Sequence, residues 1–449
     1  QGLRVALLDE QDYAGGQVWR AKSAAILEAP PTVEGRAGDV LRARLAASGV
    51  THLPQARVWD IARSGGAQWQ LHVLRAGCSD AIAARALILA TGAREFVQPV
   101  PGWTLPGVIG LAGATALMKH EQMPPGQRTV VCGTGPLVFY VASEIRRLGG
   151  QVAAVVTPNR RADWLAALPQ LMRRPALAAR GAFWLAELAL ARVPVLWGHA
   201  VSQVTGSAQI DGVGVRALDA DWAPQGKQRQ ITADSLCMGY GLAPQCEAAQ
   251  MLGVPLRHDA ALGGWLPEGT ADGATAVDAL YLCGDGSGVR GADAAAAQGT
   301  LTGLRAAADL GRAAPALQRG ALGRFNRAAR FGTAMTALSA PRCGLVQLTT
   351  DISVVCRCEG ITRAAIKAEL SCGAGSSNAV KSGLRAGMGP CGGKFCQAAI
   401  GGLIAAHRGV DESAIAPPTA RPPLRPVPVS AAAGSFSYDD LPIPKPAPL

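Results

Sequence analysis

The chain has 449 residues, 49% of them hydrophobic and 17% charged, a balance that excludes a disordered chain or a long charged coiled coil and leaves room for about three domains. Its longest apolar stretches, near Ala182 to Trp197 and Gln397 to Ala406, are broken by Glu187 and Arg192 or fall short of the roughly 20 residues a spanning helix needs. The formal net charge of +11 invites a nucleic-acid partner, but the arginines are dispersed through Ala-rich segments and aromatic residues are only 5%. The expectation is therefore a solvated arginine surface, with no nucleic acid and no transmembrane segment. The eleven cysteines form no compact disulfide framework, which points to a reducing, cytoplasmic setting.

In chain order, Leu3 to Leu8 reads as a buried parallel strand that ends in Asp9 and Glu10, and the glycine turn Gly15-Gly16-Gln17 follows. Trp69 to Leu74 alternates as an antiparallel strand does, and Ala86 to Ala90 is a buried strand that stops at Thr91-Gly92-Ala93. A Pro/Gly hinge spans Pro99 to Pro106. Arg128 to Cys132 then runs into Gly133-Thr134-Gly135-Pro136, a helix to about Leu148 and a second strand, Gln151 to Val156, which together make a βαβ unit. Helices fill 160–192, and alternating segments suggest more sheet from Val195 to Ala217. Ser235 to Gly241 is expected to return the chain to the first domain. Ala279 to Cys283 is a strand ending in Gly284-Asp285-Gly286, Ala292 to Asp309 a helix, and Pro315 to Leu338 a linker helix. From Pro417 onward the Pro-rich sequence predicts an extended tail, either wrapping a partner or disordered.

A strand, glycine turn and helix cradle a pyrophosphate because the backbone can approach closely and the helix N-terminus offers free N–H groups. Gly133 and Gly135 supply the first two glycines of such a turn, and Val138 stands where the third would be. No acid ends the following strand. Arg160 and Arg161 there suit either a 2′-phosphate or a solvated loop, so a second nucleotide, NAD(P) or ATP, is an open alternative to none at this turn. In the first unit, Asp9 or Glu10 is placed to accept ribose hydroxyls, and Gly15, Gly16, Gln17, Thr91 and Gly92 to line the cofactor. Gly284 and Asp285 end a strand ahead of a helix, where an Asp meets ribityl hydroxyls. Taken together, these turns point to FAD.

Four cysteines cluster: Cys356-x-Cys358 and Cys391-x4-Cys396, with 32 residues between the pairs. Four thiolates hold a [2Fe-2S] cluster or a tetrahedral zinc, and the short C-x-C with a glycine-rich approach to Cys391 favours iron and sulfur. The remaining cysteines are scattered and read as small buried side chains.

The segments VALLDEQDYAGGQVWR, ILATGA, PGWTLPGVIGL, GTGPLVFYVASEIRRLGG, GYGLAP and LYLCGDGSGVRGADAAAAQG resemble the FAD subunit of heteromeric amine and amino-acid dehydrogenases, among them opine oxidase, hydroxyproline and dye-linked proline dehydrogenases and hydrogen cyanide synthase. The resemblance covers nearly all of residues 1–426. It implies an α/β fold with two dinucleotide-binding domains of the glutathione-reductase kind and a small C-terminal domain like bacterioferritin-associated ferredoxin (BFD), with Cys356, Cys358, Cys391 and Cys396 as [2Fe-2S] ligands. The implied division is an FAD domain in two parts (1–125 and 235–340), a second nucleotide domain (126–234), the cluster domain (350–410) and the tail (411–449). It further implies oxidation of a C–N bond in an amino acid, imino acid or opine. The candidate partners it implies are a second flavoprotein subunit, which would oxidise the substrate, together with a small ferredoxin-like subunit. No His, Tyr or Lys is identified as a substrate base. Two rivals stand beside this reading: a self-contained NAD(P)H-dependent reductase, and a zinc-bearing assembly subunit without redox activity. In the resembled fold a strand, a GxGxxG turn and a helix precede Asp9. Gln1 to Arg4 reads as the end of that helix, so the expectation is a longer natural chain, with about 25 more residues, and weak FAD binding without them.

Overall fold

The computed structural model describes residues 2–30, 32–65 and 68–433. Its centre is a five-stranded parallel sheet in the order Val195–Trp197, Gln151–Thr157, Arg128–Gly133, Ser235–Gly239, Val108–Gly110. The middles of the three interior strands are apolar because both faces are covered. Val131 and Cys237 pack with the helices Leu111–Glu121 and Leu137–Arg147 on one side. Val130, Cys132, Leu236 and Met238 pack on the other, with the antiparallel strands His199–Gly206 and Ile210–Leu218.

Two assignments differ from the sequence reading. Ser235–Gly239 does not return to the first unit but forms an interior strand of the second unit's sheet, and Val108–Gly110 is that sheet's edge. An apolar run identifies a buried parallel strand, but its neighbours are chosen by packing across long sequence separations. The crossing between units is made instead by Ala93–Glu95, antiparallel to Leu242–Pro244.

The first unit holds two separate parallel pairs, Ala6–Leu8 with Thr51–Leu53 and Leu87–Leu89 with Leu280–Leu282. Each has a free edge among the described residues, and Ile88 is 39% exposed. Over them lies a meander of Arg57–Ser64, Gln68–Arg75 and Cys78–Ala84, in which Trp69, Leu71 and Val73 face inward as the alternation predicts. The helix Pro315–Ser339 is more than a linker: Phe325 and Ala321 pack on Leu301 of the helix Ala292–Asp309.

The cysteine domain is a short hairpin, Val354–Cys356 with Ile361–Thr362, and the helices Arg363–Ser371, Ser377–Leu384 and Gln397–Arg408 around their own core. It docks through Trp103, whose indole N–H donates to the Val354 carbonyl at 2.6 Å. The start of the Pro-rich tail lies against the chain's own first unit. Ala420 N–H donates to Gln250 at 2.9 Å and Leu424 N–H to the Trp59 carbonyl at 2.7 Å, while Arg425 pairs with Glu10 at 2.9 Å. Proline prepays the entropy of an extended strap, so a few bonds suffice to hold it. Gln1 and the end of the tail, 434–449, lie outside the described residues. No helix among the described residues is long and apolar enough to cross a membrane.

Leu236 is wholly buried in an interior strand, so Leu236→Ala is expected to lower unfolding free energy by about 2–5 kcal/mol, read from urea titrations followed by tryptophan fluorescence.

Candidate flavin and iron-sulfur sites

At the end of the first strand, Glu10 is held by Arg57 at 3.0 Å and by the tail's Arg425 at 2.9 Å. Asp9 accepts only the Gln11 N–H, at 2.9 Å, among the described hydrogen bonds. Of the two candidates for the ribose, Asp9 is the acid with acceptor capacity left. Arg20 faces it: burial lowers the guanidinium below its ordinary value and Asp9 partly offsets this. Two of its nitrogens donate to Gln11 and Gln17, at 2.9 and 2.8 Å, and its Nε is buried without a partner.

The turn at Gly15 is pinned from a distant helix. Arg42 donates to the Trp19 carbonyl at 2.7 Å and to the Ala14 carbonyl at 3.2 Å. Gly15 sits at φ +134°, and a Cβ there would lie 2.6 Å from the Trp19 oxygen, so no larger residue fits. Lys119 donates to the Val18 carbonyl at 2.8 Å, with burial pulling its ammonium below the usual range. Sequence reading missed Arg42 and Lys119, which lie far from any glycine turn; Arg20 was at least inside a recognised segment.

The structure brings the two downstream turns together. Leu89 pairs with Leu282, and Gly286 abuts the Thr91-Gly92 turn so closely that a Cβ would stand 2.7 Å from Thr91 Oγ1. Asp285 Oδ1 accepts the N–H groups of Arg290 and Gly291, at 2.9 and 3.0 Å, while Oδ2 makes no hydrogen bond among the described residues. Burial raises the Asp285 carboxyl against those two donors. Gly284 N–H is taken by Gln298 at 3.0 Å. Glycine-lined turns, a spare oxygen on Asp285, the free side of Asp9 and the orphaned Arg20 Nε fit FAD.

The second glycine turn does not fit a dinucleotide as it stands. Gly133, Thr134 and Gly135 are buried. The Gly135 N–H, which would face a pyrophosphate, donates to Asn159 Oδ1 at 3.0 Å, and Asn159 in turn donates to the Leu338 carbonyl at 2.8 Å. Ser339, at the end of the long helix, occupies the space a Cβ on Gly135 would enter. Thr134 Oγ1 beside it is buried without a partner. Of the two arginines, Arg160 reaches the Leu218 carbonyl at 3.1 Å and Arg161 is exposed.

The four sequence-predicted cysteines come together, Cys358 with Cys391 and Cys356 with Cys396 close enough to perturb each other's titration. No three His, Cys, Asp or Glu side chains among the described residues surround a single ion. The Gly387 N–H points at the Cys356 sulfur, 3.5 Å away, and the backbone N–H groups of Phe395, Gly393 and Lys394 favour the Cys391 thiolate. Burial pushes the Cys391 thiol up, but these donors together hold it below its usual value. Cys396, more deeply buried and facing Cys356, is pushed well up. Such N–H donors stabilise sulfur-borne negative charge, which suits thiolates bound to iron. Cys358 is exposed and Cys391 half-buried, so one edge of the site meets solvent.

The cluster loop is tied to the flavin turn. Arg94, two residues after Gly92, pairs with Glu247 and donates to Gln397 Oε1 at 3.1 Å, and Gln397 follows Cys396 directly. Next to it, Glu95 is half-buried, with its carboxyl group turned inward and no cation partner among the described residues. Its carboxyl group accepts Ala112 N–H at 2.7 Å, with the backbone of Leu111 and Gly113 at the start of a helix beside it, in a cradle where a Cβ on Gly110 or Gly239 would collide with it. Burial outweighs these donors and raises the carboxyl to about 8.

Comparison with known proteins accords with this geometry. Residues 1–299 match the model of the pyridine nucleotide-disulphide oxidoreductase family, and residues 354–406, which hold all four cysteines, match the BFD-like [2Fe-2S] binding domain. The fold and its two sites define an FAD- and [2Fe-2S]-dependent oxidoreductase. The chain belongs to the pyridine nucleotide-disulphide oxidoreductase family, in the branch that holds opine oxidase and hydrogen cyanide synthase subunits. It is 29% identical to an opine oxidase subunit of Rhizobium meliloti over 95% of this chain and 82% of that one. To HcnB, the hydrogen cyanide synthase subunit of Pseudomonas aeruginosa, it is 31% identical, over 69% of this chain and 68% of that one. In fold it resembles L-proline dehydrogenase from P. horikoshii, with a TM-score of 0.71 and 18% identity over 96% of this chain and 74% of that one. The [2Fe-2S] match answers the zinc alternative. Where the reductases of this family that carry a redox disulfide would place it, after the Gly15 turn, this chain has Gln17, Val18 and Trp19.

Two outcomes follow. Cys391→Ser is expected to abolish the cluster's visible absorption and its electron paramagnetic resonance signal while the flavin spectrum persists. For Glu95, the native state keeps a proton that the unfolded chain releases above about 4.5. Its contribution to stability is therefore full at low pH and is lost as pH rises to about 8. Relative to Glu95→Gln, the wild-type chain should lose on the order of a few kcal/mol across that window, measured by urea unfolding at stepped pH.

Proposed function

We propose that the chain is the FAD- and [2Fe-2S]-bearing electron-transfer subunit of a heteromeric dehydrogenase that oxidises a C–N bond of an amino acid, imino acid or opine. The carrying observation is the bridge from the Thr91-Gly92 turn through Arg94 to Gln397, beside Cys396, which holds the two cofactor sites of one chain together. When bound, FAD takes two electrons at once and the cluster passes one at a time. This chain's residues would hold and orient the two: Asp9 and Asp285 the flavin nucleotide's hydroxyls, Gly15, Gly16, Gln17, Thr91, Gly92 and Gly284 its backbone path, and Cys356, Cys358, Cys391 and Cys396 the irons.

Substrate oxidation belongs, in this reading, to a second flavoprotein subunit; the further candidate partner is a small ferredoxin-like subunit. The relatives support it, since the opine oxidase protein and HcnB are both subunits of larger enzymes. The stoppered Gly133/Gly135 turn weighs against a self-contained NAD(P)H reductase, because its pyrophosphate-facing N–H is already bonded.

Anaerobic purification with associated subunits, followed by absorption and electron paramagnetic resonance spectra on adding proline, hydroxyproline, glycine or an opine, tests this. Flavin bleaching and a reduced-cluster signal with one of these, and none with NADPH, are expected; bleaching by NADPH alone would overturn the assignment. Gln397→Ala removes the bonds its side chain makes to Arg94 and to the Gly392 carbonyl, each about 1 kcal/mol, and leaves the Arg94–Glu247 pair intact. It is expected to delay the cluster signal relative to flavin bleaching in freeze-quench samples.

A further inference from the structure

The helices Arg161–Leu171 and Pro175–Leu190 are strongly apolar in composition, yet the first contains no buried residue and the second only Leu188. Their inner side is accounted for: Trp164 packs on Phe139 with ring centroids 5.7 Å apart, Trp184 on Tyr140 at 5.4 Å, and Glu187 pairs with Arg146. Their outer side is not. Leu165, Leu168 and Met172 fall on one face at spacings of three and four residues, and Leu165 is 69% exposed; on the second helix Phe183 is 66% and Leu190 87% exposed. A monomer gains nothing from presenting so much apolar surface on one helix pair.

Directly after Met172 comes a concentration of positive charge. Arg173 and Arg174, in the turn between the two helices, face Arg324, Arg327 and Arg330 of the helix Pro315–Ser339 across a pocket of about 460 Å3. Only Arg174 has a carboxylate partner, Asp293; the other four have none among the described residues. Pro315–Ser339 contains no Asp or Glu. Five like charges drawn to one concavity repel each other unless an anion sits among them.

We infer that this face, the helix pair 161–190 with the arginine pocket beside it, is the docking surface for the partner subunit, which presents carboxylate side chains to the arginines and an apolar patch to the leucines and Phe183. The inference rests on the reading of the chain as one subunit of a heteromeric enzyme. Two features select a protein over a lipid surface. The pocket is lined by arginine and no lysine, the bias of protein interfaces, where the planar guanidinium grips carboxylates bidentately. It is also concave, so it admits individual acidic side chains among the guanidinium groups. Met172 and Phe183 belong to the residue types enriched at interface centres.

The test uses the complex isolated from the encoding organism, with hydrogen exchange compared between the assembled enzyme and the chain separated from its partner. Protection of 161–190 and 315–339 on assembly is expected. The double variant Arg324→Glu, Arg327→Glu should weaken assembly by about tenfold or more, with the loss growing at low ionic strength. Leu168→Asp with Phe183→Ser should weaken it without salt dependence. In both, unchanged flavin and cluster spectra would show the fold intact, since every substituted side chain is exposed. A partner that co-purifies yet leaves these peptides unprotected, with both variants assembling normally, would overturn the docking face and leave the subunit reading standing. A chain that is isolated without any partner would overturn both. Flotation with phosphatidylcholine–phosphatidylglycerol vesicles that the charge reversals abolish, with no protection by a partner, would replace the protein partner by a lipid surface.

Discussion

Arg94 and Glu95, adjacent on one three-residue strand, are tied in different directions, and the architecture is organised around that pair. Arg94 reaches Glu247 and, across to the cysteine domain, Gln397. Glu95 is driven into the start of the helix Leu111–Glu121, between Gly110 and Gly239 of the second sheet. The strand carrying them pairs antiparallel with Leu242–Pro244, so both crossings between the two nucleotide-type units lie side by side. A few bonds thereby fix the flavin turn, the second sheet and the cluster loop in one frame. The helix N-terminus and a retained proton make the arrangement tolerable: Ala112 N–H donates to the Glu95 carboxyl, and burial keeps that carboxyl protonated up to about pH 8.

The second nucleotide-type unit holds its glycine turn in a closely packed form. Its sheet, its glycines and the helix after them are all in place, yet Asn159 takes the N–H that a phosphate would need and the end of Pro315–Ser339 covers the turn. The unit retains structural work: it carries Glu95's cradle, supports Trp103 in its core and through it the cysteine domain. The helices 161–190 pack against it on one side and leave their other side bare.

Much of the site was legible locally. Strand ends at Asp9, Thr91 and Asp285 are marked by glycine turns, and the spacing of Cys356, Cys358, Cys391 and Cys396 singles them out, because tight turns and thiol ligands need particular residues at particular offsets. That Glu10 is ion-paired while Asp9 is not, among the described residues, was beyond sequence, since it depends on Arg57 and on Arg425 arriving from more than four hundred residues away. Dispersed charge was equally misleading: arginines scattered in sequence are gathered by a turn and a distant helix into one pocket.

By itself the sequence determined the fold class, the glycine turns at the strand ends and the grouping of the four cysteines, since each is encoded by short-range periodicity or spacing. Which sheet Ser235–Gly239 joins, that the Gly135 turn is closed, that the Pro-rich strap lies on Glu10 and Trp59, and that the cluster loop meets Arg94 were decided only by tertiary structure. Those features are contacts between segments distant in the chain. Each is selected by the burial and hydrogen-bond satisfaction of both partners together, and neither segment carries that information alone.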